Sequence, residues 1–133
     1  QVTAFAITCA PTSPAEAPPD PGSPAPDRAA QEDLTSADWL KTSAAELGRG
    51  IAAGRIDPVA LTEAFLEAAE HHAETGRIYA RLTPERARAE ALSARDRATS
   101  GTRCSALDGV PVSWKDLFDS AGVATEAGSA LLK

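Results

Sequence analysis

One lysine, Lys115, stands in a short run of alternating apolar and polar residues and is the clearest candidate for chemistry in this sequence. Its neighbours Trp114, Leu117 and Phe118 are large and apolar, and they could shield the amine from water. Desolvation disfavours the ammonium form, so burial lowers the pKa of a lysine. A neutral amine near pH 7 can then act as a general base. On physical grounds alone, however, a lysine at the end of a strand is more often solvated.

Ser113 lies two residues before Lys115, so in a strand both side chains would project from the same face. Two strand residues span about 7 Å, a distance that a flexible lysine can bridge. A local Ser/Lys nucleophilic pair is therefore one hypothesis. The same spacing is common by chance, and we expect the two side chains not to work together.

Adjacent histidines, His71 and His72, raise the question of a metal site, because Glu67 precedes His71 by one helical turn. Zinc in proteins takes three or four ligands, and the sequence contains only 2 histidines. Cys104 could add a ligand only through tertiary folding that no motif implies. We therefore expect no metal and no cofactor, with His72 at the edge of the core and His71 on a solvated acidic face.

Start signals predict three helices that would position the lysine segment. Ser43 and Glu46 have the spacing of a capping box, in which each side chain satisfies a backbone N–H group of the other residue. A capping residue followed by proline, as at Asp57-Pro58 and Thr83-Pro84, is a second start signal. The predicted helices span residues 44–53, 58–74 and 84–99, and the glycines that end them are Gly54, Gly76 and Gly101.

The apolar faces of the second and third helices differ in size. The second helix is predicted to turn Leu61, Phe65, Ala68 and His72 toward one side. The third helix carries alanines at helical spacing and should lie close against a larger body: Ala87, Ala91, Ala94 and Ala98. Its arginines are interleaved with acidic residues, among them an i,i+4 pair of Arg86 with Glu90, so we expect an ordinary solvated face.

From Leu107 onward the apolar period changes to two. Val110, Val112 and Trp114 alternate with other residues, which predicts a strand with one apolar face. Pro111 has no N–H group, so this strand lies at an edge, begins there or leaves that position unpaired. A second short stretch, Ile78–Leu82, is predicted to be a strand or an extended connection.

Residues 1–33 are expected to form a disordered tail or linker. Their composition of Pro, Ala, Ser and Asp offers little to a core. Most of the 10 prolines of the chain lie there: Pro11, Pro14, Pro18, Pro19, Pro21, Pro24 and Pro26.

Charge and composition exclude some partners and favour one location. The net charge of −6 argues against broad binding of nucleic-acid phosphates. A membrane-spanning helix needs about 18 to 20 apolar residues, and no apolar run in the sequence approaches that length. The 2 cysteines are too few for a disulfide scaffold, which favours a reducing compartment and a cytoplasmic location. The apolar start, Gln1–Ala10, keeps an exported form as the alternative.

The segment Leu107–Ser129 resembles the amidase signature family, whose members share a strand of the form Leu-x-Gly-Val-Pro-Val-x-x-Lys-Asp, then Ala-Gly and a Gly-Ser pair. Upstream, the order of helices and their caps is also similar, so the resemblance covers about residues 42–133. The matching elements here are Leu107, Gly109–Val112, Lys115–Asp116, Ala121–Gly122 and Gly128–Ser129.

The resemblance implies an α/β fold, in which residues 34–133 supply the N-terminal helical layer and the first strand of a mixed β-sheet flanked by helices. It also implies hydrolysis of carboxylic amide C–N bonds in a small-molecule substrate by a Ser, cis-Ser, Lys triad. Lys115 matches the family's lysine, which acts as a base toward the bridging serine. Both serines of that triad belong to a Gly/Ser-rich segment well after the lysine. Neither role is therefore assigned to Ser105, Ser113, Ser120 or Ser129.

The sequence is therefore expected to be an N-terminal fragment of an amidase-type hydrolase that is inactive alone. Two alternatives stay open: a non-catalytic helical interaction module, and a subunit that completes its site with a second chain. A homodimer is also kept open. Trp114 and Cys104–Ala106 depart from the usual pattern of the family, and Lys115–Asp119 looks more like a free-standing amidase than a transamidating subunit.

Overall fold

Helices make up most of the regular secondary structure in the described residues, and a small sheet accompanies them. The structure is a computed structural model that describes residues 2–5 and 35–132. In chain order the elements are β1 (Val2–Phe5), α1 (Ser36–Trp39), α2 (Ala44–Ala52), α3 (Pro58–His71), α4 (Thr75–Ile78), β2 (Tyr79–Arg81), α5 (Pro84–Ser100) and β3 (Ser113–Lys115). This mixture of helices with a few strands is compatible with the expected α/β class.

The start signals of α2 and α3 are both confirmed. The Glu46 N–H donates to Ser43 Oγ at 3.3 Å, and the Ser43 N–H donates to the Glu46 carboxylate at 3.2 Å. This capping box satisfies backbone donors that the first helical turn leaves without partners. At α3 the Asp57 carboxylate accepts from the Val59 N–H at 2.7 Å, and Pro58 occupies the first helical position.

Helix α3 ends at His71, earlier than the sequence indicated. His72 has extended backbone angles (φ −71°, ψ 132°), so the helical hydrogen-bond ladder stops there. The Thr75 hydroxyl then reaches the carbonyl oxygen of Ala69, one of the acceptors at the end of the helix. Gly76, which was expected to end the helix, lies inside the separate short helix α4.

The buried face of α3 is rotated relative to the predicted stripe. Leu61, Thr62, Leu66 and Ala69 are buried, whereas His72 is exposed. The rotation arises because α3 contributes to two clusters, one that includes residues of α2 and one shared with α5. Placing His72 at the core edge was therefore wrong.

Helix α5 packs as the small-sided layer that its alanines predicted. Ala87, Ala91 and Ala94 are buried, and Ala98 is partly buried. Arg88 of α5 also forms a two-point ion pair with Glu63 of α3, at 2.7 and 3.0 Å. The i,i+4 pair of Arg86 with Glu90 is confirmed at 2.7 Å. Gly101 ends the helix in the left-handed conformation, with φ 72°.

The main apolar cluster joins the helices to the segment that leads to Lys115. Val110 is the residue that this segment contributes to the cluster. The partly buried side chains of Trp39, Phe65 and Ala98 pack against the cluster. The other buried members come from α2, α3 and the turn between them: Leu47, Ile51, Ile56 and Leu61. The lysine segment is thus anchored at its start by ordinary hydrophobic burial.

The three strands are arranged in the order β2-β1-β3. β1 is parallel to β2 and antiparallel to β3, and its Val2 is opposite Lys115. β1 lies in the stretch that was expected to be a disordered tail or linker, and its four residues pair as a strand. The rest of that stretch lies outside the described residues, so the expectation for it stays a prediction. β3 is also shorter than predicted, because the chain before Ser113, including Pro111, is outside the strand.

Across residues 2–5 and 35–132, no helix is both long enough and apolar enough to cross a membrane.

Candidate active site

Asp108 anchors the loop that precedes the lysine segment. Its carboxylate accepts from Arg97 at two points, with Oδ1 to Nη2 at 2.7 Å and Oδ2 to Nε at 2.8 Å. The Cys104 N–H donates to Oδ2 at 3.0 Å, and the Asp108 carbonyl accepts from Arg103 Nη2 at 2.9 Å. Asp108 is only 5% exposed, so the donors from Arg97 and Cys104 replace the water that the carboxylate has lost.

Two glycines let the same loop lie close to the helices. A Cβ atom added to Gly48 of α2 would collide with the carbonyl oxygen of Ala106. Gly109 has φ +94°, a left-handed conformation that favours glycine, and an added Cβ would lie 3.2 Å from Ile51 Cδ1 and 3.1 Å from Pro58 Cγ. The loop is therefore fixed by steric contact as well as by hydrogen bonds.

Lys115 is exposed, and so are the apolar side chains around it. Trp114 is 39% exposed, Leu117 61% and Phe118 60%, while Trp114 and Phe118 meet edge to face at 6.0 Å. These three residues could have shielded the lysine, but within the described residues they do not, and the solvated lysine that physical grounds favoured is the one observed. A short β3 with all three side chains exposed provides no apolar cover for the amine.

A cavity of about 280 Å³ lies against Lys115. Its other lining residues are Asp116, Leu117, Ala127 and Gly128, so the Gly-Ser end of the segment lines the same cavity as the lysine. The structure therefore brings two parts of the matched segment, the lysine and the Gly-Ser end, to one cavity. The volume of the cavity is slightly below the range of typical small-molecule sites, which begins at about 300 Å³.

Asp116, next to Lys115, forms a hydrogen bond with the later part of the segment, at Glu126. It is 2% exposed, and its Oδ1 accepts from the Glu126 N–H at 3.2 Å. Glu126 in turn pairs with Arg81 of β2 at 3.3 Å. Sequence reasoning missed this role of Asp116, because the residue entered only as part of the matched motif.

None of the serines near the lysine forms a catalytic pair with it among the described residues. No hydrogen bond joins Ser113 to Lys115 there, and both side chains are exposed. The hydroxyls of Ser105 and Ser129 accept instead from backbone N–H groups, of Leu107 and Leu131 respectively, each at 3.2 Å. The described geometry gives no support to a local Ser/Lys nucleophilic pair.

The histidines make local contacts. The ring Nδ1 of His71 lies 2.9 Å from the Glu67 carbonyl oxygen, and His72 Nδ1 accepts from the Glu74 N–H at 3.1 Å. In the part of the chain that the structure describes, no group of three His, Cys, Asp or Glu side chains could hold a metal ion.

Cys104 is disulfide-bonded. Disulfides persist mainly in oxidising compartments, so this state of Cys104 differs from the reduced thiols expected from the sequence. The same residue supports Asp108 through its backbone N–H.

Acid is expected to remove the contribution of Asp108 to stability. Hydrogen bonds from Arg97 hold the pKa of this carboxyl below its usual range, the Cys104 N–H adds to the effect and burial opposes it. Because folding lowers this pKa, the stabilisation is complete above the unfolded value of about 3.9 and is lost as the pH falls through the folded value. The free energy of unfolding of the wild type should exceed that of Asp108→Asn at neutral pH, and the difference should shrink below about pH 4.

Urea unfolding of the full-length protein and its Asp108→Asn variant, compared at neutral and acidic pH, measures this difference. A difference that stays constant from neutral pH down to about pH 3 would contradict the prediction.

Comparison with known proteins supports the resemblance. The family model described as Amidase matches residues 60–133. A protein of Anaeromyxobacter dehalogenans is 48% identical over 90 residues, which cover 66% of this chain and 18% of that protein. Proteins of Sinorhizobium fredii and Chloroflexus aggregans are each 39% identical, over 71% and 74% of this chain and 19% and 20% of their own lengths.

All three relatives are named as the same subunit of glutamyl-tRNA(Gln) amidotransferase. The chain spans about a fifth of the length of these curated relatives. No solved structure matches the chain significantly.

Proposed function

Because this chain belongs to the amidase signature family, we propose that it carries the general-base lysine of an enzyme that cleaves carboxylic amide C–N bonds. The observation that supports this most is the place of Lys115, inside the matched residues and on the wall of a cavity that Gly128 also lines. The proposed substrate is a small-molecule amide, and no cofactor takes part.

In the proposed mechanism the unprotonated amine of Lys115 takes a proton from a bridging serine, which takes one from the nucleophilic serine. The nucleophile attacks the amide carbonyl, backbone N–H groups hold the oxyanion, and the C–N bond breaks as the leaving amine receives a proton. Water then hydrolyses the acyl-enzyme to the carboxylic acid and frees the serine. We assign neither serine to these 133 residues, which would be inactive alone.

Residues 34–133 are proposed to be the N-terminal part of the amidase domain, with β3 as the strand that carries the lysine into its mixed sheet. The exposed side chains of Trp114, Leu117 and Phe118 support this, because a strand with an uncovered apolar surface is rarely stable without further strands or helices. In the full domain, other segments would cover these residues and exclude water from Lys115.

A second candidate is a transamidating subunit that shares its site with other chains. The names of the relatives favour it, since each is called a subunit of an amidotransferase for glutamyl-tRNA(Gln). The net charge of −6 argues against broad phosphate contacts by this chain itself. Affinity purification of the full-length protein separates the candidates: a free-standing amidase is recovered as a monomer or homodimer, and a transamidating subunit with different chains.

A cytoplasmic location is proposed from the low cysteine content. The disulfide-bonded state of Cys104 supports the exported alternative. Thiol titration after rapid acid quenching of cells distinguishes the two, because Cys104 is reduced in a cytoplasmic protein and blocked in an exported one.

The experiment that tests the enzyme proposal is to read the coding sequence onward from Lys133. The proposal predicts an in-frame Gly/Ser-rich segment that contains two serines of the triad. A continuous reading frame without such a segment would rule out the enzyme and leave a helical interaction module as the better account.

A further inference from the structure

The position of Lys115 depends on anchors outside its own strand. All three residues of β3 have exposed side chains, so side-chain packing does not fix this strand. The residues on either side of it are different, because Val110 and Asp116 are buried. Lys115 is thus flanked along the chain by two buried residues, Val110 and Asp116. Asp108 lies two residues before Val110.

Asp108 is enclosed in its ion pair with Arg97, whereas the arginine is partly exposed. The Asp108 side chain is 2% exposed and that of Arg97 24%, and both carboxylate oxygens face the guanidinium at 2.7 and 2.8 Å. A buried ion pair often contributes little net stability, because desolvation offsets the attraction. Its two-point geometry, however, fixes the orientation of both partners.

This pair also joins the last turns of α5 to the start of the lysine segment. Arg97 lies three residues before the end of α5, and Asp108 directly precedes Gly109. Gly109 has a left-handed conformation and lies so close to Pro58 and Ile51 that an added Cβ atom would be 3.1 Å from Pro58 Cγ and 3.2 Å from Ile51 Cδ1. A shift of Asp108 would therefore move the chain on which Lys115 is carried.

We propose that Arg97 and Asp108 are positioning residues that set the location of the Lys115 amine for proton transfer. The proposal rests on the function proposed above for Lys115. Proton transfer needs the base within hydrogen-bond reach of its partner. A displacement of about 1 Å can lower a rate by 10²-fold.

The test compares two arginines of the same helix in the full-length enzyme. Arg97→Lys keeps the charge and removes the two-point contact with Asp108. Arg88→Lys is the matched control, since Arg88 makes a similar two-point contact with Glu63 on α3, away from the lysine segment. kcat and KM toward a small amide are measured with thermal stability, at a temperature where every variant is folded.

Arg97→Lys should lower kcat by about tenfold or more while KM changes by less than about twofold, and Arg88→Lys should leave both unchanged. Asp108→Asn should repeat the effect of Arg97→Lys. The proposal is overturned if kcat of Arg97→Lys equals that of the wild type. It is also overturned if Arg97→Lys and Arg88→Lys both lose kcat in proportion to their loss of thermal stability, because the ion pair is then merely structural.

Lys115→Ala in the same assay separates the positioning role of Arg97 and Asp108 from the function proposed for Lys115, on which it rests. Full turnover in Lys115→Ala would refute the function proposed for the lysine, whatever Arg97→Lys does. Loss of turnover in Lys115→Ala, with wild-type kcat in Arg97→Lys and Asp108→Asn, would refute only the positioning role.

Discussion

Lys115→Ala in the full-length enzyme is expected to lower kcat for amide hydrolysis by about 10²- to 10⁴-fold, the usual contribution of a general base. The fold should change little, because the side chain of Lys115 is exposed and is not one of the buried core residues. Steady-state kinetics with a small amide measure the loss, and circular dichroism checks that the variant is folded.

Ser113→Ala is the matched control for that experiment. Ser113 lies on the same strand and is also exposed, and it forms no hydrogen bond with Lys115 in the part of the chain that the structure describes. We expect Ser113→Ala to retain wild-type turnover. Turnover that survives in Lys115→Ala and is lost in Ser113→Ala would contradict the role assigned to the lysine.

Gly48→Ala is expected to destabilise the protein, although alanine is the better helix former. Inside a helix, replacing glycine by alanine ordinarily stabilises by about 0.5–1 kcal/mol. Here the added methyl group would collide with the Ala106 carbonyl oxygen, which is backbone and cannot rotate away. Overpacking of this kind costs about 1–3 kcal/mol, so the net effect should have the opposite sign.

The same substitution at Gly76 provides the comparison. Nothing lies within 4 Å of a Cβ built on Gly76 in α4, so Gly76→Ala should be neutral or slightly stabilising. Thermal unfolding of the full-length protein gives the sign for each variant. Hydrogen exchange of the Asp108 and Val110 amides, which bond to the carbonyls of Ser105 and Leu107, should accelerate only in Gly48→Ala. Equal melting temperatures for the two variants would contradict the close contact.

Local signals in the sequence were sufficient for the helix starts. The Ser43 capping box, the Asp57-Pro58 start and the alanine face of α5 each depend on residues within a few helical turns. The spacing of such residues is visible in the chain itself. For this reason those elements could be predicted before any tertiary contact was known.

The remaining features depend on contacts between distant residues. β1 lies in a stretch with few residues suited to a hydrophobic core, and only pairing with β2 and β3 makes it a strand. The ion pair of Arg97 with Asp108 joins a helix whose charge pattern indicated a solvated face to a residue of the matched motif. Neither partner shows periodicity or a motif of its own that would indicate the other.

The sequence left the environment of Lys115 open between a solvated and a dry one. The apolar neighbours Trp114, Leu117 and Phe118 allowed a dry environment, but cover for a side chain depends on the elements that pack against it. Among the described residues, no element covers these three side chains sufficiently to bury them.

The most direct test of Lys115 as the base that activates a serine is mass spectrometry of the full-length enzyme after brief reaction with an activated small-molecule amide or ester. We predict an acyl adduct on one serine outside these 133 residues, formed at least about 10²-fold more slowly in Lys115→Ala. An adduct that forms at the same rate in both proteins, or one located on Ser113, would contradict the proposed role of Lys115.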